Sequence, residues 1–559
     1  MLRRNLFLRF HPFIPPFCRN FTLRIRLWLM KYPIGIQSFE KIRNGGYVYI
    51  DKTDLIYSLA NEGEIYFLSR PRRFGKSLLV STLQAYFEGR KELFEGLEIS
   101  ALEKEWKKYP VFHVDFSVGE LTKPGVLEQS IDSSLSTWET KYGIKTDLTD
   151  FGLRFKNLIA EAHRQTGLKA VVLIDEYDKP ILDVLDTGIS VEENGERISL
   201  EDHNRNVLKG FYSTFKAADA DLRFVLLTGV TKFSQVSVFS GFNQPDDISM
   251  STAYGAICGI TQEELEHYFD EDVDKMARLN GYTKDEMYAV LRSQYDGYHF
   301  SRNMTGVYNP FSLINAMKHS DIQNYWFKTG TPTYLVRLME HFHEDLDEMV
   351  GKYYSPQEFA DYRADVERPL PMIYQSGYIT IKDYDREMRT FLLDFPNNEV
   401  KEGFVLLTAS HYFGKGDGMD SVMRNLVISL KRDNLDQFRT LLTSFLASIP
   451  YTMRRKENER ERERYFHYTF YLLLRLISVY TVFTEKEQSY GRVDCIVETD
   501  DYVYIFEFKL DGTAQEALTQ IDEKGYSQPY VSDKRKKYKI GVSFSSETGT
   551  IEDWKAEEI

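Results

Sequence analysis

Apolar positions along the chain follow two regimes. Short, densely apolar runs at 65–68, 111–116, 170–174 and 222–227 read as strands, and the β-branched run AVVLI at 170–174 suits a central parallel strand covered on both faces. Between them, apolar residues recur at helical spacing over 125–142, 151–166 and 202–218. This alternation predicts a three-layer α/β domain with a mostly parallel sheet. From 261 to about 319 the pattern turns helical. It opens on a capping box, Thr261 with Glu264 three positions on. We read this part as a helical lid, or as a structural extension. The stretch 321–450 contains helices and one hairpin around Arg386-Glu387, winged-helix-like or only a spacer. Further on, alternating runs flank Asp500-Asp501 and predict a second hairpin.

The strand at 65–68 leads through a polar loop into Gly75-Lys76-Ser77, and then Leu78, Leu79, Leu83 and Phe87 follow at helical spacing. Strand, loop, Gly-Lys-Ser and helix form the layout of a phosphate-binding loop. Arg72, Arg73, Phe74, Gly75, Lys76, Ser77 and Leu78 are the expected phosphate cradle. Lys76 reaches toward the β- and γ-phosphates of ATP, and the Ser77 hydroxyl is offered to Mg2+. The pattern departs from G-x-x-x-x-G-K-[ST] at one place: Arg70 stands where the first glycine belongs, followed by Pro71, Arg72 and Arg73.

About a hundred residues later the run AVVLI ends in Asp175-Glu176. Carboxylates at the C-terminal end of such a strand sit where open α/β sheets bind ligands. Asp175 is expected to hold Mg2+, directly or through water, and Glu176 to polarise the attacking water. The segments PIGIQSFEKIRNGGYVYIDKT, YFLSRPRRFGKSLL and VVLIDEYDKPI together resemble the bacterial AAA-ATPase-like family, whose members carry the arginine-containing loop and are usually fused to a C-terminal nuclease-like domain. In P-loop ATPases with an added strand between the two motifs, a polar residue ending that strand senses the γ-phosphate. Thr228 is the matching residue here.

The second hairpin has a geometry that can be worked out in advance. A tight turn centred on Asp500-Asp501 pairs residues whose numbers sum to 1001, so Asp494 stands opposite Glu507, and opposed side chains share a face. Lys509, two positions beyond Glu507, shares that face as well. Two carboxylates with a lysine form a site for a Mg2+ ion that activates water against a phosphodiester. These residues resemble the PD-(D/E)XK nuclease superfamily, with Val493 in place of its usual proline. The resemblance adds Glu463 on a preceding helix and Gln520 on the following helix to the catalytic set.

Composition changes this picture in three ways. With 70 basic against 84 acidic residues, the net charge is −14, so any nucleic-acid contact must come from a local patch such as the run KRKKYK at 534–539. Three isolated cysteines, Cys18, Cys258 and Cys495, form no metal or disulfide spacing and fit a reducing, cytoplasmic setting. Residues 1–29 carry six arginines and no acidic residue. Arginines interrupt every apolar run there, which excludes a membrane span. We read that segment as translated upstream sequence or a disordered arm. The expected order is then an AAA-like P-loop core at 30–260, a lid at 261–320, a middle region at 321–450 and a nuclease-like α/β domain at 451–559. Its ligands would be ATP, Mg2+ and nucleic acid, DNA ahead of RNA, with no membrane partner and with a homo-oligomer compatible. The alternatives are a nucleotide-dependent switch whose C-terminal domain binds nucleic acid or protein without cutting, and a regulator that acts only on proteins.

Overall fold

The computed structural model describes residues 31–185, 187–193, 195–233, 245–326, 349–360, 369–404, 419–448, 482–483, 487–488, 491–492, 495–499 and 501–559. The chain divides into two compact units, one of residues 1–334 with 350–397 and one of 335–349 with 398–559. The division at 397 and 398 falls inside the stretch 321–450.

The first unit is built on a five-stranded sheet. Its strands are β1 (Ile65–Ser69), β2 (Val111–Asp115), β3 (Ala170–Asp175), β4 (Leu222–Gly229) and the short β5 (Asp246–Asp247), in the order β2-β3-β4-β1-β5. Every pairing is parallel. Strand β3 is buried at each of its positions, as its unbroken apolar run requires. Helices α1 (Lys76–Phe87), α2 (Val126–Tyr142), α3 (Phe151–Thr166) and α4 (Leu200–Tyr212) accompany the sheet, with α1 and α3 packed against β3. Strand β4 lies between β1 and β3. The Gly-Lys-Ser strand and the Asp-Glu strand are therefore separated by the strand that ends in Thr228.

Three helices follow: α5 (Gln262–Asn280), α6 (Lys284–Tyr295) and α7 (Pro310–His319). The expected capping box is present, with the Thr261 hydroxyl accepting from the Glu264 N–H and the Glu264 carboxylate accepting from the Thr261 N–H. Leu265, Phe269, Val273, Leu291, Tyr295 and Leu313 form the helices' common core, and Tyr32, Val48 and Ile50 from the start of the unit pack on it. The hairpin expected at Arg386-Glu387 joins β7 (Thr380–Asp385) to β8 (Thr390–Asp394), and β6 (Lys352–Tyr354) completes a three-stranded antiparallel sheet. Just before it, Gly377 adopts a left-handed φ of 87°, and a Cβ there would come within 2.7 Å of Pro71. The absence of a side chain lets this segment brace the phosphate loop from behind.

The second unit has the sheet order β9-β10-β11-β12-β13, from β9 (Val482–Phe483), β10 (Cys495–Glu498), β11 (Tyr502–Leu510), β12 (Lys536–Phe544) and β13 (Ile551–Glu558). Only β11 and β12 run parallel, and their crossover carries α10 (Ala514–Glu523), which packs on both. Helices α8 (Met419–Lys431) and α9 (Leu435–Ser448) pair with each other. Gly541 of β12 is the closest point of approach: a Cβ there would lie 2.1 Å from the Ala514 carbonyl oxygen. Among the described residues, no helix is long and apolar enough to cross a membrane. Cys258 and Cys495 are both buried, and neither forms a disulfide.

Candidate functional site

Strand β1 delivers the chain into the loop 70–75, and α1 begins at Lys76 with Gly75 in the left-handed region at φ 95°. Arg73 is left-handed too, at φ 70°, whereas Arg70, at the usual glycine position, is not. The loop therefore places its unusual backbone conformations later than the standard pattern, and an arginine at 70 meets no backbone obstacle. Arg70 is instead a buried brace. Its guanidinium donates to the carbonyls of Ser69 (2.9 Å), Ser249 (2.7 Å) and Tyr254 (3.2 Å) and lies 4.1 Å from the centroid of Phe300.

A cavity of about 340 Å³ opens at this loop. Arg72, Arg73, Gly75, Lys76, Ser77 and Leu78 line one side, with Ser117, Glu176 and Lys179 beside them. Pro33, Ile34 and Ile36 from the start of the unit, and Pro310, Phe311 and Ile314 from α7, form an apolar wall. Lys76 is only 4 % exposed, and its ammonium donates to the carbonyls of Arg70 (2.9 Å) and Pro71 (3.3 Å), with no carboxylate partner among the described residues. A buried cation held only by main-chain oxygens is matched to an incoming anion. Phe74 turns away from this cavity. It is buried edge-on against Tyr298 and Phe300 at 4.7 and 5.5 Å, so it serves the loop as a core anchor rather than as a side-chain contact to phosphate.

Asp175 closes β3, and its Oδ1 accepts from the Thr228 hydroxyl at 2.6 Å. Both residues are buried behind the cavity wall, and neither lines it. Thr228 thus orients the carboxylate that is expected to serve the metal. Glu176 does line the cavity. Its backbone takes the left-handed φ of 54°, and its N–H donates to Asp175 Oδ1 at 3.1 Å. One participant was missed by the sequence reading. Asp178, also fully buried, accepts from the N–H groups of Val230 (2.9 Å) and Thr231 (2.6 Å) and so fastens the Asp-Glu segment to the turn after β4. Its signal was its place in the run DEYD. The apolar wall at 33–36 was visible only as the first residues of a resemblance. The donor set fits a nucleotide carrying Mg2+: the Ser77 hydroxyl and the buried Lys76 ammonium, which has no counterion among the described residues, line the cavity, and the Asp175 carboxylate stands behind its wall.

In the second unit, the register of β10 on β11 is Cys495↔Phe506, Ile496↔Ile505, Val497↔Tyr504 and Glu498↔Val503, each pair summing to 1001 as anticipated. Asp494 and Glu463 lie outside the described residues. The other three members come together. Glu507 is 1 % exposed, Gln520 of α10 donates through Nε2 to Glu507 Oε1, and Lys509 donates to Gln520 Oε1 while standing 3.8 Å from the Glu507 carboxylate. A buried carboxylate beside a lysine and an amide suits a divalent cation and a charged phosphodiester.

The basic run at 534–539 differs from expectation. Arg535 binds Asp533 and Glu498, Lys536 binds Asp433 and Glu558, Lys537 donates to two main-chain carbonyls, and Lys539 binds Asp522 and Glu557. Four of the five cations are engaged within the unit, leaving Lys534 exposed. The run is an internal ion-pair belt because β12 is flanked by acidic neighbours.

Comparison with known proteins agrees with this division. Residues 33–239 match the family model described as Predicted AAA-ATPase, and residues 461–554 match that of the PD-(D/E)XK nuclease superfamily. An uncharacterized protein in the vnfD 5'region of Azotobacter chroococcum mcd 1 is 35% identical over 533 residues, which cover 93% of this chain and 98% of that protein. With the P-loop sheet and the Glu507 site in place, the chain belongs to the AAA-ATPase-like family and carries a PD-(D/E)XK nuclease superfamily domain in its C-terminal part.

Proposed function

We propose that the first unit binds and hydrolyses ATP with Mg2+, and that its nucleotide state governs a Mg2+-dependent cut in a nucleic-acid phosphodiester by the second unit. The observation that carries the ATP reading is Lys76, a buried ammonium whose partners are two main-chain carbonyls. ATP phosphates would draw it from them at little cost, since those carbonyls are neutral acceptors. Ser77 and Asp175 would hold the metal, and Thr228 would fix the rotamer of Asp175. Glu176, at the cavity wall, would take a proton from the attacking water. When bound, Mg2+ neutralises phosphate charge and orients the reacting oxygens.

For the second unit, Asp494 would stand opposite Glu507 if the pairing that starts at Cys495↔Phe506 ran one residue further, and the two carboxylates would then share one metal. Lys509 would then stabilise the charged transition state, with Gln520 positioning both Lys509 and Glu507 and Glu463 joining the metal site. DNA is the preferred substrate class.

The test is a cleavage panel of DNA and RNA with Mg2+ or Mn2+, with and without ATP, run on the parent chain, Lys76→Ala and Glu507→Ala. Cleavage lost in Glu507→Ala and altered in Lys76→Ala supports the proposal. The internal pairing of the run 534–539 favours a second reading, a nucleotide switch whose C-terminal unit does not cut. Retained ATP binding with no cleavage under any condition selects it.

A further inference from the structure

The cavity contains four cationic side chains, and they are not equivalent. Lys76 rests on main-chain carbonyls, and Lys179 is ion-paired with Asp183. Arg72 is partly buried, and its carbonyl is fixed by the Trp326 indole N–H at 3.0 Å. Arg73 is exposed and has no ion pair or hydrogen bond with any described residue; its guanidinium is held only by the ring of Phe311, 5.0 Å away. Arg73 also sits at φ 70°, a conformation that a glycine would adopt without strain and an arginine adopts only under strain. Strain of this kind, on a residue with no internal bond to justify it, points to a task outside the resting fold. Phe311 lies in the first turn of α7, whose only cations, Lys318 and His319, are in its last turn. The lid helix therefore brings no positive charge of its own to this end of the cavity.

We propose that Arg73 is the cation that neutralises the terminal phosphate of ATP during hydrolysis. It is supplied from the phosphate loop itself, and Phe311 is its resting place. The inference rests on the ATP reading above. In the step, water oxygen forms a bond to the γ-phosphorus as the bond from that phosphorus to the β–γ bridging oxygen breaks. The bridging electron pair leaves with ADP, and the water proton passes through Glu176 to the released phosphate. Negative charge grows on the oxygens around the γ-phosphorus, and a guanidinium fork matches it in two directions. The exchange of a ring face for a phosphate also gives the lid a signal, since α7 loses a contact when Arg73 turns to ATP.

The experiment uses the full chain with Mg2+, measuring ATP turnover together with calorimetric affinities for ADP and for the slowly hydrolysed analogue ATPγS. The set is the parent, Arg73→Ala, Arg73→Lys, Arg72→Ala and Lys76→Ala. Expected is a fall in kcat of at least about tenfold in Arg73→Ala, in keeping with the size of arginine effects on phosphoryl transfer. ADP affinity should stay within about twofold, partial recovery should appear in Arg73→Lys, and Arg72→Ala should be milder. Unchanged kcat in Arg73→Ala, or equal losses of ADP and ATPγS affinity, overturns the proposal. A parent that binds ATP without turnover also overturns it and leaves the binding reading intact. If parent and Lys76→Ala alike fail to bind ATP, both readings fall.

Discussion

Replacing Asp178 by asparagine tests the account of the buried segment behind the nucleotide cavity. Its carboxylate is 0 % exposed. Oδ2 accepts two N–H groups, while Oδ1 has no hydrogen-bond partner among the described residues and packs against Gly229. Burial, followed by the negative charge of Glu176, pushes its pKa up to about 7 against the opposing pull of the Thr231 N–H and Lys76. The folded protein thus keeps this proton at a pH where the unfolded chain, titrating near 3.8, has lost it. Stability is lost as pH rises from about 4 to about 7 and levels off above that, since a raised acid pKa favours the folded state only through its protonated form. At about 1.4 kcal/mol per pH unit, the whole window amounts to about 4 kcal/mol, and the part above pH 5 to about 3 kcal/mol. Asparagine keeps one oxygen for the two N–H groups and carries no charge at either pH. Urea unfolding of parent and Asp178→Asn at pH 5 and pH 8 can be followed by fluorescence, because Trp106, Trp138 and Trp326 belong to the first unit. The variant should gain about 3 kcal/mol on the parent between the two pH values. An identical difference at both would refute a protonated, buried Asp178.

Thr228→Val removes a hydroxyl bonded to a buried carboxylate, an interaction of about 1.5–3 kcal/mol, so ATP turnover should fall roughly ten- to a hundredfold while Thr228→Ser retains most of it. Gly541→Ala forces a Cβ onto the Ala514 carbonyl and should destabilise the second unit by about 1–3 kcal/mol, read from the urea midpoint of the Trp554 signal. Arg70→Gly restores the usual loop glycine, yet it deletes three hydrogen bonds of about 1 kcal/mol each and leaves a hole beside Phe300. It should lower the urea midpoint of the first unit by calorimetry or fluorescence rather than improve the site; an unchanged midpoint would show that Arg70 is not a brace.

What the sequence disclosed was whatever periodicity and chain-local geometry encode. Strand β3 was readable because a strand covered on both faces must be apolar throughout. The 495↔506 register was readable because a tight turn fixes its own pairing arithmetic. Lys76, Glu176 and the Glu507-Lys509 pair followed from motifs whose spacing is dictated by phosphate and metal chemistry, whereas Gln520 came only with the resemblance to the nuclease superfamily. Other features depended on partners distant in sequence. Nothing near Arg70 indicates that Ser249, Tyr254 and Phe300 receive its guanidinium, and nothing in KRKKYK indicates that Asp433, Asp522 and Glu557 neutralise it. Phe74 reads as part of a phosphate cradle in one dimension and as a core residue in three, because its ring packs on aromatics more than 200 positions later.

The order of the central sheet also has a meaning in time. Strand β1 pairs only with β4 and β5 among the described residues, and its partner Val225 follows Ile65 by about 160 residues of synthesis. At roughly 5–20 residues per second, the phosphate loop leaves the ribosome some 8–30 s before the strands that hold it in place. During that interval a nascent chain carries Gly75-Lys76-Ser77 without the strand that bears Thr228 and orients Asp175, so it has the emblem of a nucleotide site but not its machinery. Glu507 is translated later still. An emerging chain thus completes the sheet of its P-loop module before the residues of its nuclease-like domain are made.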